Sequence, residues 1–526
     1  MNGTAHTVKV DPTQVLQIDF LGLGVNIIPT ALMENNRSKG YDEALWEIDR
    51  RRILTLAPKV ARVWFQIDWM EPNKGVYTWD STKMLALYAY LDALLAAGTE
   101  IELNFGWKVG RTVHDWFGIE GVPPRLSAPA DPDAYAASAS ALLDELVNRR
   151  GYRNVKYLSF YNEPAGDYDF EAPGDQRAHY AQMAKTVHRR LVADGRRDLV
   201  EIWGPEEWGA PAWARYMHEH AAEVFDVYSF HVYGGTYASL SGEIAERVGA
   251  VGGKPVAMTE FGFPGLYDSR WEAGYGNFAI KLANEGVRTG LAWQLNGVWL
   301  EDPDEDVDTN GTYTLWDSLL VNRVPNPRYT EFGLLARYVP AHSSVVVAET
   351  SPDVRAAAFV TGGGGLTVVV EVNEGAEPRS LTIDLGGQVG TKIHKFVHTD
   401  EAPPGENALL AASSGTFPPG SSLTDTDIGP ARHLIVYTTT RPAAQVAISP
   451  VHAGVGPGDS LTLRACVIDG PDDVTWSVVG AGNGTIGENG VYTPPPVRAE
   501  RRVAVRASLV GDPSVYGVAV ITVSPE

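Results

Sequence analysis

Apolar runs of strand length recur eight times between residues 20 and 340, each followed by polar or helix-patterned sequence. They are LGLGVNII (21–28), VARVWFQI (60–67), TEIELNFGW (99–107), VKYLSFYN (155–162), LVEIWGPE (199–206), VYSFHVYG (227–234), PVAMTEFG (255–262) and GLAWQLNG (290–297). Two of the intervening segments carry start and stop signals. DSTKMLALYAYLDALLAAG opens on an Asp80 cap and closes on Gly98; DPDAYAASASALLDELVNRRG opens on Asp131 or Asp133 and stops at Gly151. Near-continuous apolar strands alternating with helices predict a parallel sheet covered on its outer face. Eight such strands within residues 1–340 predict a closed (β/α)8 barrel. An open doubly wound sheet is the alternative, but no glycine-rich dinucleotide turn follows the first strand.

Beyond residue 340 the helical period disappears. Short alternating strands such as LTVVVEVN and RHLIVYTT, with turns such as TGGGGL and FPPGSS, predict an all-β sandwich over residues 341–442. The N-terminal HTVKVD precedes the barrel and is expected to lend this sandwich an edge strand. A second β module, 443–526, follows TRPAAQ, with Trp476 expected in a central strand. Its WSV…GTI…GVYTPP pattern resembles the Ig-like modules of bacterial surface and polysaccharide-active proteins. The fold class is therefore α/β: a (β/α)8 TIM barrel followed by two all-β sandwich domains.

Composition narrows the partners. A net charge of -22 with no basic stripe excludes a nucleic-acid backbone as partner. One cysteine, Cys466, excludes an intramolecular disulfide framework. No apolar run reaches the ~18 residues of a membrane span. The first residues, MNGTAHTVKVDPTQ, carry no signal-peptide pattern, so the chain as written reads as cytoplasmic; a secreted protein trimmed of its leader would read the same. Oligomeric state is left open.

The chemistry concentrates at strand ends. In a (β/α)8 barrel the C-terminal ends of all strands face one mouth. Glu163 in FYNEP ends the fourth strand and Glu260 in MTEFG ends the seventh, 97 positions apart. Two carboxylates on one rim suit glycosidic cleavage, in which one protonates the leaving oxygen and the other attacks carbon or activates water. FYNEP and MTEFG resemble the signature of glycoside hydrolase clan A, especially families 5 and 39, over residues 20–340. That resemblance implies Glu163 as acid/base, Glu260 as nucleophile, and a retaining mechanism. It implies that Arg62 holds the nucleophile ionised by lowering its pKa. Asn162 would meet the sugar 2-hydroxyl, His231 and Tyr233 in SFHVYG would flank the centre, and Trp293 would form a sugar platform. Trp299 competes with Trp293 for that last role.

Trp107, Trp208 and Glu207, near strand ends, are further candidates for substrate contact, with Glu206 beside Glu207 at the mouth after strand five. Asp306, Asp308, Asn310 and Asp317 in DVDTNGTYTLWD fit a calcium-loop spacing, but a β-hairpin turning at Asn310-Gly311 is the favoured reading. No cofactor is required. The long segments 107–128 and 298–318 suggest a narrowed mouth and exo action. The leading expectation is a retaining glycosidase acting on a carbohydrate. A transglycosylase on the same intermediate and a non-catalytic carbohydrate-binding or adhesive protein are the alternatives.

Overall fold

A computed structural model describes residues 4–105, 117–123, 126–165, 170–263, 272–300, 313–319, 324–375, 377–399 and 404–525. After a long first strand, β1 (Thr4–Phe20), eight strands close a parallel barrel: β2 (Leu23–Ile27), β3 (Val60–Phe65), β4 (Glu100–Phe105), β5 (Val155–Ser159), β6 (Glu201–Trp208), β7 (Val227–Tyr233), β8 (Val256–Gly262) and β9 (Val287–Ala292). All eight predicted strands are present. The helices around them are the single turn α1 (Glu34–Arg37), α2 (Glu43–Leu56), α3 (Thr82–Ala97), α4 (Pro132–Leu143), α5 (Gln176–Ala193), α6 (Pro211–Ala221), α7 (Tyr237–Ala250), α8 (Tyr275–Asn284) and α9 (Arg328–Tyr338). Capping follows local chemistry. Ser81, not Asp80, caps α3 by accepting from the Met84 amide at 3.1 Å, and Gly98 ends it in the left-handed region. Asp131, not Asp133, caps α4.

Inside the barrel, an apolar layer plugs the N-terminal end: Leu21, Val60, Tyr157, Trp203, Val227, Ala257 and Leu291, with Tyr157 and Trp203 stacked at 4.3 Å. Arg62 lies one inward position above Val60, in register with Glu102 on β4. The barrel interior thus changes from apolar to charged within one step of the strand period.

β1 leaves the barrel for a nine-stranded sheet with β12 (Ser343–Thr350), β13 (Val354–Val360), β14 (Leu366–Val372), β15 (Arg379–Val389), β16 (Ile393–His398), β17 (Gly415–Phe417), β18 (Gly420–Ile428) and β19 (His433–Thr438). It does join this sheet, but as an interior strand between β12 and β15 and not at the edge. The sheet folds back on itself. Lys395 on β16 and Asp425 on β18, near opposite ends of the strand order, pair at 2.7 Å, and the Tyr437 hydroxyl of β19 donates to Asp425 at 2.6 Å. Between them lies one core built from Val8, Val368, Val370, Ile383 and Leu423 among others. The opposite face of the same strands, including Phe359, Val369 and Phe396, joins the core around α8 and α9. Arg432 seals that junction by meeting Glu331 at 2.9 Å and Glu371 at 2.6 Å.

The two-residue strands β10 (Asn296–Gly297) and β11 (Trp316–Asp317) pair in parallel. Asp317 therefore sits in a parallel bridge, and its carboxylate accepts from the Leu319 amide at 2.8 Å. Asp306, Asp308, Asn310 and Gly311 lie outside the described residues, as does the hairpin turn expected there. The C-terminal module comprises β20 (Gln445–Ser449), β21 (His452–Val455), β22 (Leu461–Thr462), β23 (Arg464–Ile468), β24 (Val474–Val478), β25 (Thr485–Ile486), β26 (Val491–Thr493), β27 (Arg501–Leu509) and β28 (Asp512–Val523). Its main sheet runs β21-β28-β27-β24, so Trp476 is on an edge strand and not a central one. Tyr516, Val518 and Val520 pack against Ala44 and Ile48 of α2, and Arg502 pairs with Asp42 at 2.8 Å. Among the described residues no helix is long and apolar enough to cross a membrane.

Lys395→Met is expected to lower stability by about 3–5 kcal/mol, because it leaves the Asp425 charge buried. Adding Asp425→Leu should recover most of that loss in urea unfolding. Equal instability of the single and double variants would refute the pair's role in closing the sandwich.

Candidate active site

Successive residues of a regular strand point to opposite faces, yet one strand here breaks that alternation and two pairs of neighbours reach the same interior. Asn162 and Glu163 do so because Glu163 turns into the left-handed region at φ 45° after β5 has ended at Ser159. On β6 the register with β7 slips between Pro205 and Glu207, and Glu206 takes φ 62°. On β8 the register with β7 slips between Met258 and Glu260, which brings Thr259 and Glu260 to one side. Such bulges re-aim side chains at the expense of regular pairing. The Glu163 amide donates to the Glu206 carbonyl at 3.0 Å, so two of these irregularities support each other.

Arg62, with no exposed surface, is the hub of the site. Its Nη1 donates to Glu260 Oε1 at 2.6 Å and to Asn26 Oδ1 at 3.1 Å, and its Nη2 donates to Asn162 Oδ1 at 2.9 Å. Glu102 and Glu206 each lie 3.4 Å from it. The Trp64 ring packs 4.7 Å from the guanidinium carbon, while its indole N–H donates to Asn26 at 3.1 Å. On the other side of Glu260, the Tyr233 hydroxyl donates to Oε2 at 2.5 Å. His231 bridges the carboxylates: Nδ1 lies 2.7 Å from Glu163 and 3.6 Å from Glu260, and Nε2 lies 3.0 Å from Glu206. One ligand atom each from Glu163, His231 and Glu260 fall within 4.8 Å of one another. That spacing suits a cation by distance alone. Arg62 already supplies positive charge at Glu260.

Protonation departs from the sequence expectation in an instructive way. Burial pushes the Glu260 carboxyl above its ordinary value; His231 and Arg62 pull it back and Glu163 pushes it up again. Arg62 therefore does not bring Glu260 below the usual carboxylate range. The depressed carboxylate is Glu206. Burial opposes its charge, yet Arg62, then His231 and Thr259, hold it at about 2. Glu102 goes the other way, raised well above the ordinary value by burial and by the Glu206 charge. For His231, burial disfavours the charged ring, but Glu260, Glu163 and Glu206 outweigh it and push the ring up to about 10.

The predicted residues Arg62, Asn162, Glu163, His231, Tyr233 and Glu260 thus converge. Trp293 joins them: it follows β9, its amide donates to the Phe261 carbonyl at 2.8 Å, and its ring meets Trp64 edge-on at 5.1 Å. Trp208 is 40% exposed at the end of β6, in register with His231. Trp299 is held by its backbone, whose carbonyl accepts from Thr30, Asn35 and Asn36, with the Lys39 ammonium 4.2 Å over its ring. Trp107 lies outside the described residues.

Glu207 is a correction. It is fully buried on the outer side of β6, where it pairs with Arg247 of α7 at 2.6 Å and accepts from the Ala210 amide at the start of α6 at 2.7 Å. Glu206, expected beside it at the mouth, is equally buried. Sequence reasoning missed Glu102, Asn26 and Thr259; a carboxylate in the middle of the apolar run IELNF was the available signal.

No protein-family model and no curated protein matches the sequence. The fold does match solved structures. The catalytic domain of the GH30 xylanase C from Talaromyces cellulolyticus is 15% identical, with 82% of this chain and 100% of that one covered and a TM-score of 0.58. The GH39 enzyme from Xanthomonas axonopodis pv. citri is 15% identical, covering 83% of this chain and 98% of its own, with a TM-score of 0.56. A GH39 β-xylosidase from Caulobacter crescentus is 14% identical over 82% of this chain and 99% of its own, with a TM-score of 0.53. At such identity the likeness establishes the fold.

Two outcomes are expected. Glu207→Gln should lower stability by about 1–3 kcal/mol while leaving kcat/KM unchanged; a selective loss of kcat/KM would return Glu207 to the site. His231, raised in the folded state, contributes stability that is complete below the ordinary value of 6.5 and fades as pH rises through about 10. Melting temperatures should therefore decline across that window in the wild type and decline less in His231→Asn. Parallel curves would refute the assignment.

Proposed function

We propose that the protein is a retaining glycoside hydrolase working by double displacement. The observation that carries this reading is the approach of the Glu163, His231 and Glu260 ligand atoms to within 4.8 Å. It fits carboxyl groups about 5–5.5 Å apart, as retaining enzymes require, better than the wider gap that admits an inverting water. Glu260 attacks the anomeric carbon. Arg62 and Tyr233 each hold one of its oxygens, which fixes the carboxylate for in-line approach. Glu163 protonates the leaving oxygen and then takes a proton from the water that releases the sugar. With its carbonyl oxygen occupied by Arg62, Asn162 has its amide N–H groups for the sugar 2-hydroxyl. Trp293 offers an aromatic face to the ring. The chemistry asks for no cofactor.

Substrate choice follows from the company of the fold. Structures similar to this one carry the names of a xylanase, a β-xylosidase and an endo-β-1,6-glucanase. A β-linked xyloside or glucoside is the substrate class proposed here.

The test is turnover of aryl β-xylosides, aryl β-glucosides, xylan and β-glucan fragments, with the product anomer followed by NMR. First-formed product should keep the β configuration; an inverted product would sink the mechanism. Glu260→Gln should lose on the order of 10^4-fold or more in kcat. Glu163→Ala should lose about 10²–10⁴-fold on natural glycosides but far less when the leaving group is a dinitrophenol, which needs little protonation. Equal losses on both substrates would count against the acid role.

A further inference from the structure

Glu206 has no surface exposed and no reach to substrate, yet more of the site converges on it than on either proposed catalytic carboxylate. Its Oε2 accepts from Thr259 Oγ1, lies 3.0 Å from His231 Nε2 and 3.4 Å from Arg62 Nη2. Its Oε1 accepts from the Ser229 hydroxyl at 2.7 Å, and its own amide donates back to that hydroxyl at 3.1 Å. Its carbonyl takes the Glu163 amide. One residue therefore grips His231 through its side chain and Glu163 through its main chain. It does so from a left-handed backbone conformation that disfavours any residue but glycine.

His231 has a carboxylate oxygen against each ring nitrogen. A neutral imidazole has one acceptor nitrogen, and an acceptor cannot face an ionised carboxylate at hydrogen-bond distance without a proton between them. Either the ring carries both protons, or Glu163 carries one and donates it to Nδ1. In both cases the Glu163–His231 couple holds a single shared proton. Glu206 cannot be the group that stores it, because Arg62, Thr259 and Ser229 all favour its ionised form. The groups facing His231 are Glu163 after β5, Glu206 on β6 and Glu260 on β8; behind them Arg62 on β3 meets Glu206, Glu260 and Glu102 of β4, and Tyr233 on the histidine's own strand meets Glu260.

We propose that Glu206 is a positioning residue which, through His231, keeps the acid/base carboxyl supplied with its proton at neutral pH. The inference rests on the glycosidase reading for its consequence, but its proton arrangement is measurable without turnover. In the first step the bond from the anomeric carbon to the leaving oxygen breaks and the bond to Glu260 forms. The shared proton leaves the couple through Glu163 to that oxygen. In the second step water displaces Glu260, and the proton it gives up returns to the same couple. Glu206 stays ionised throughout.

The first measurement is 15N NMR of histidine-labelled wild type, with the His231 signals identified by their loss in His231→Asn. Nε2 is expected to carry a proton up to at least pH 8, with the second proton shared between Nδ1 and Glu163. In Glu206→Gln, which keeps the shape and removes the charge, the couple should lose its proton about 1–3 pH units lower. The alkaline limb of kcat/KM for alkyl glycosides should move to lower pH by the same amount, and the limb for dinitrophenyl glycosides should move much less. An unprotonated Nε2 in the wild type at pH 7 would overturn the proposal, and that measurement stands even where Glu206→Gln does not fold. A folded Glu206→Gln whose limb and His231 titration are unmoved would overturn it too and leave Glu206 a mere partner of Arg62. Absence of turnover on every glycoside with the NMR behaviour as expected would sink the glycosidase reading and leave the proton arrangement standing.

Discussion

A guanidinium sealed inside a barrel is costly, since removing it from water costs several kcal/mol that only close, well-aligned partners return. Arg62 is placed under that constraint by its strand: one inward step above Val60, it has the apolar plug below and the mouth above. Glu260, Glu206, Asn26 and Asn162 are arranged around it because each must answer its charge or one of its N–H groups. Glu102 answers differently. Burial and the Glu206 charge both disfavour a second full negative charge there, and the Glu102 carboxyl is raised. The inner barrel therefore behaves as one electrostatic unit and not as a set of separate pairs.

This unit distributes charge unevenly, and the unevenness separates the roles. The carboxylate of the site held lowest is the fully buried Glu206, which has three hydroxyl or charged partners in addition to His231. Glu260 is raised by burial, yet Arg62 and Tyr233 occupy both of its oxygens and fix its direction. Geometry, more than a lowered pKa, is what the arginine gives it. The backbone irregularities at Glu163, Glu206 and Thr259 are what make such crowding feasible, since a regular strand would send every second one of these side chains out toward the helices.

Much of this was legible beforehand. Eight apolar runs gave the barrel, and Asn162-Glu163-Pro164 with Glu260 gave the proposed catalytic pair, because polar residues at the tips of apolar strands are conspicuous. Glu206 and Glu207 were misjudged for a specific reason. In GPEEWG nothing in residue type announces a bulge, so which glutamate turns inward depends on a register slip set by the neighbouring strand. Glu102 was passed over because its run looks like any buried strand with one charge. Trp476 and β1 were misplaced in their sheets for a related reason: local alternation identifies a strand, whereas its neighbours are fixed by distant pairing.

That distant pairing bears on how the chain is made. Val8 pairs with Thr350 on one side and Ile383 on the other, so the first strand is synthesised long before either neighbour exists. At 5–20 residues per second the wait is on the order of half a minute. Through that time an alternating apolar segment stands beside a barrel completing itself, with unpaired edges and nothing to protect them. The two modules cannot mature in simple sequence from the N-terminus, and neither can be excised by cutting at a linker. The strand before the barrel and the strands after it share one sheet, a clasp that closes only when the chain has come round to meet that earlier strand.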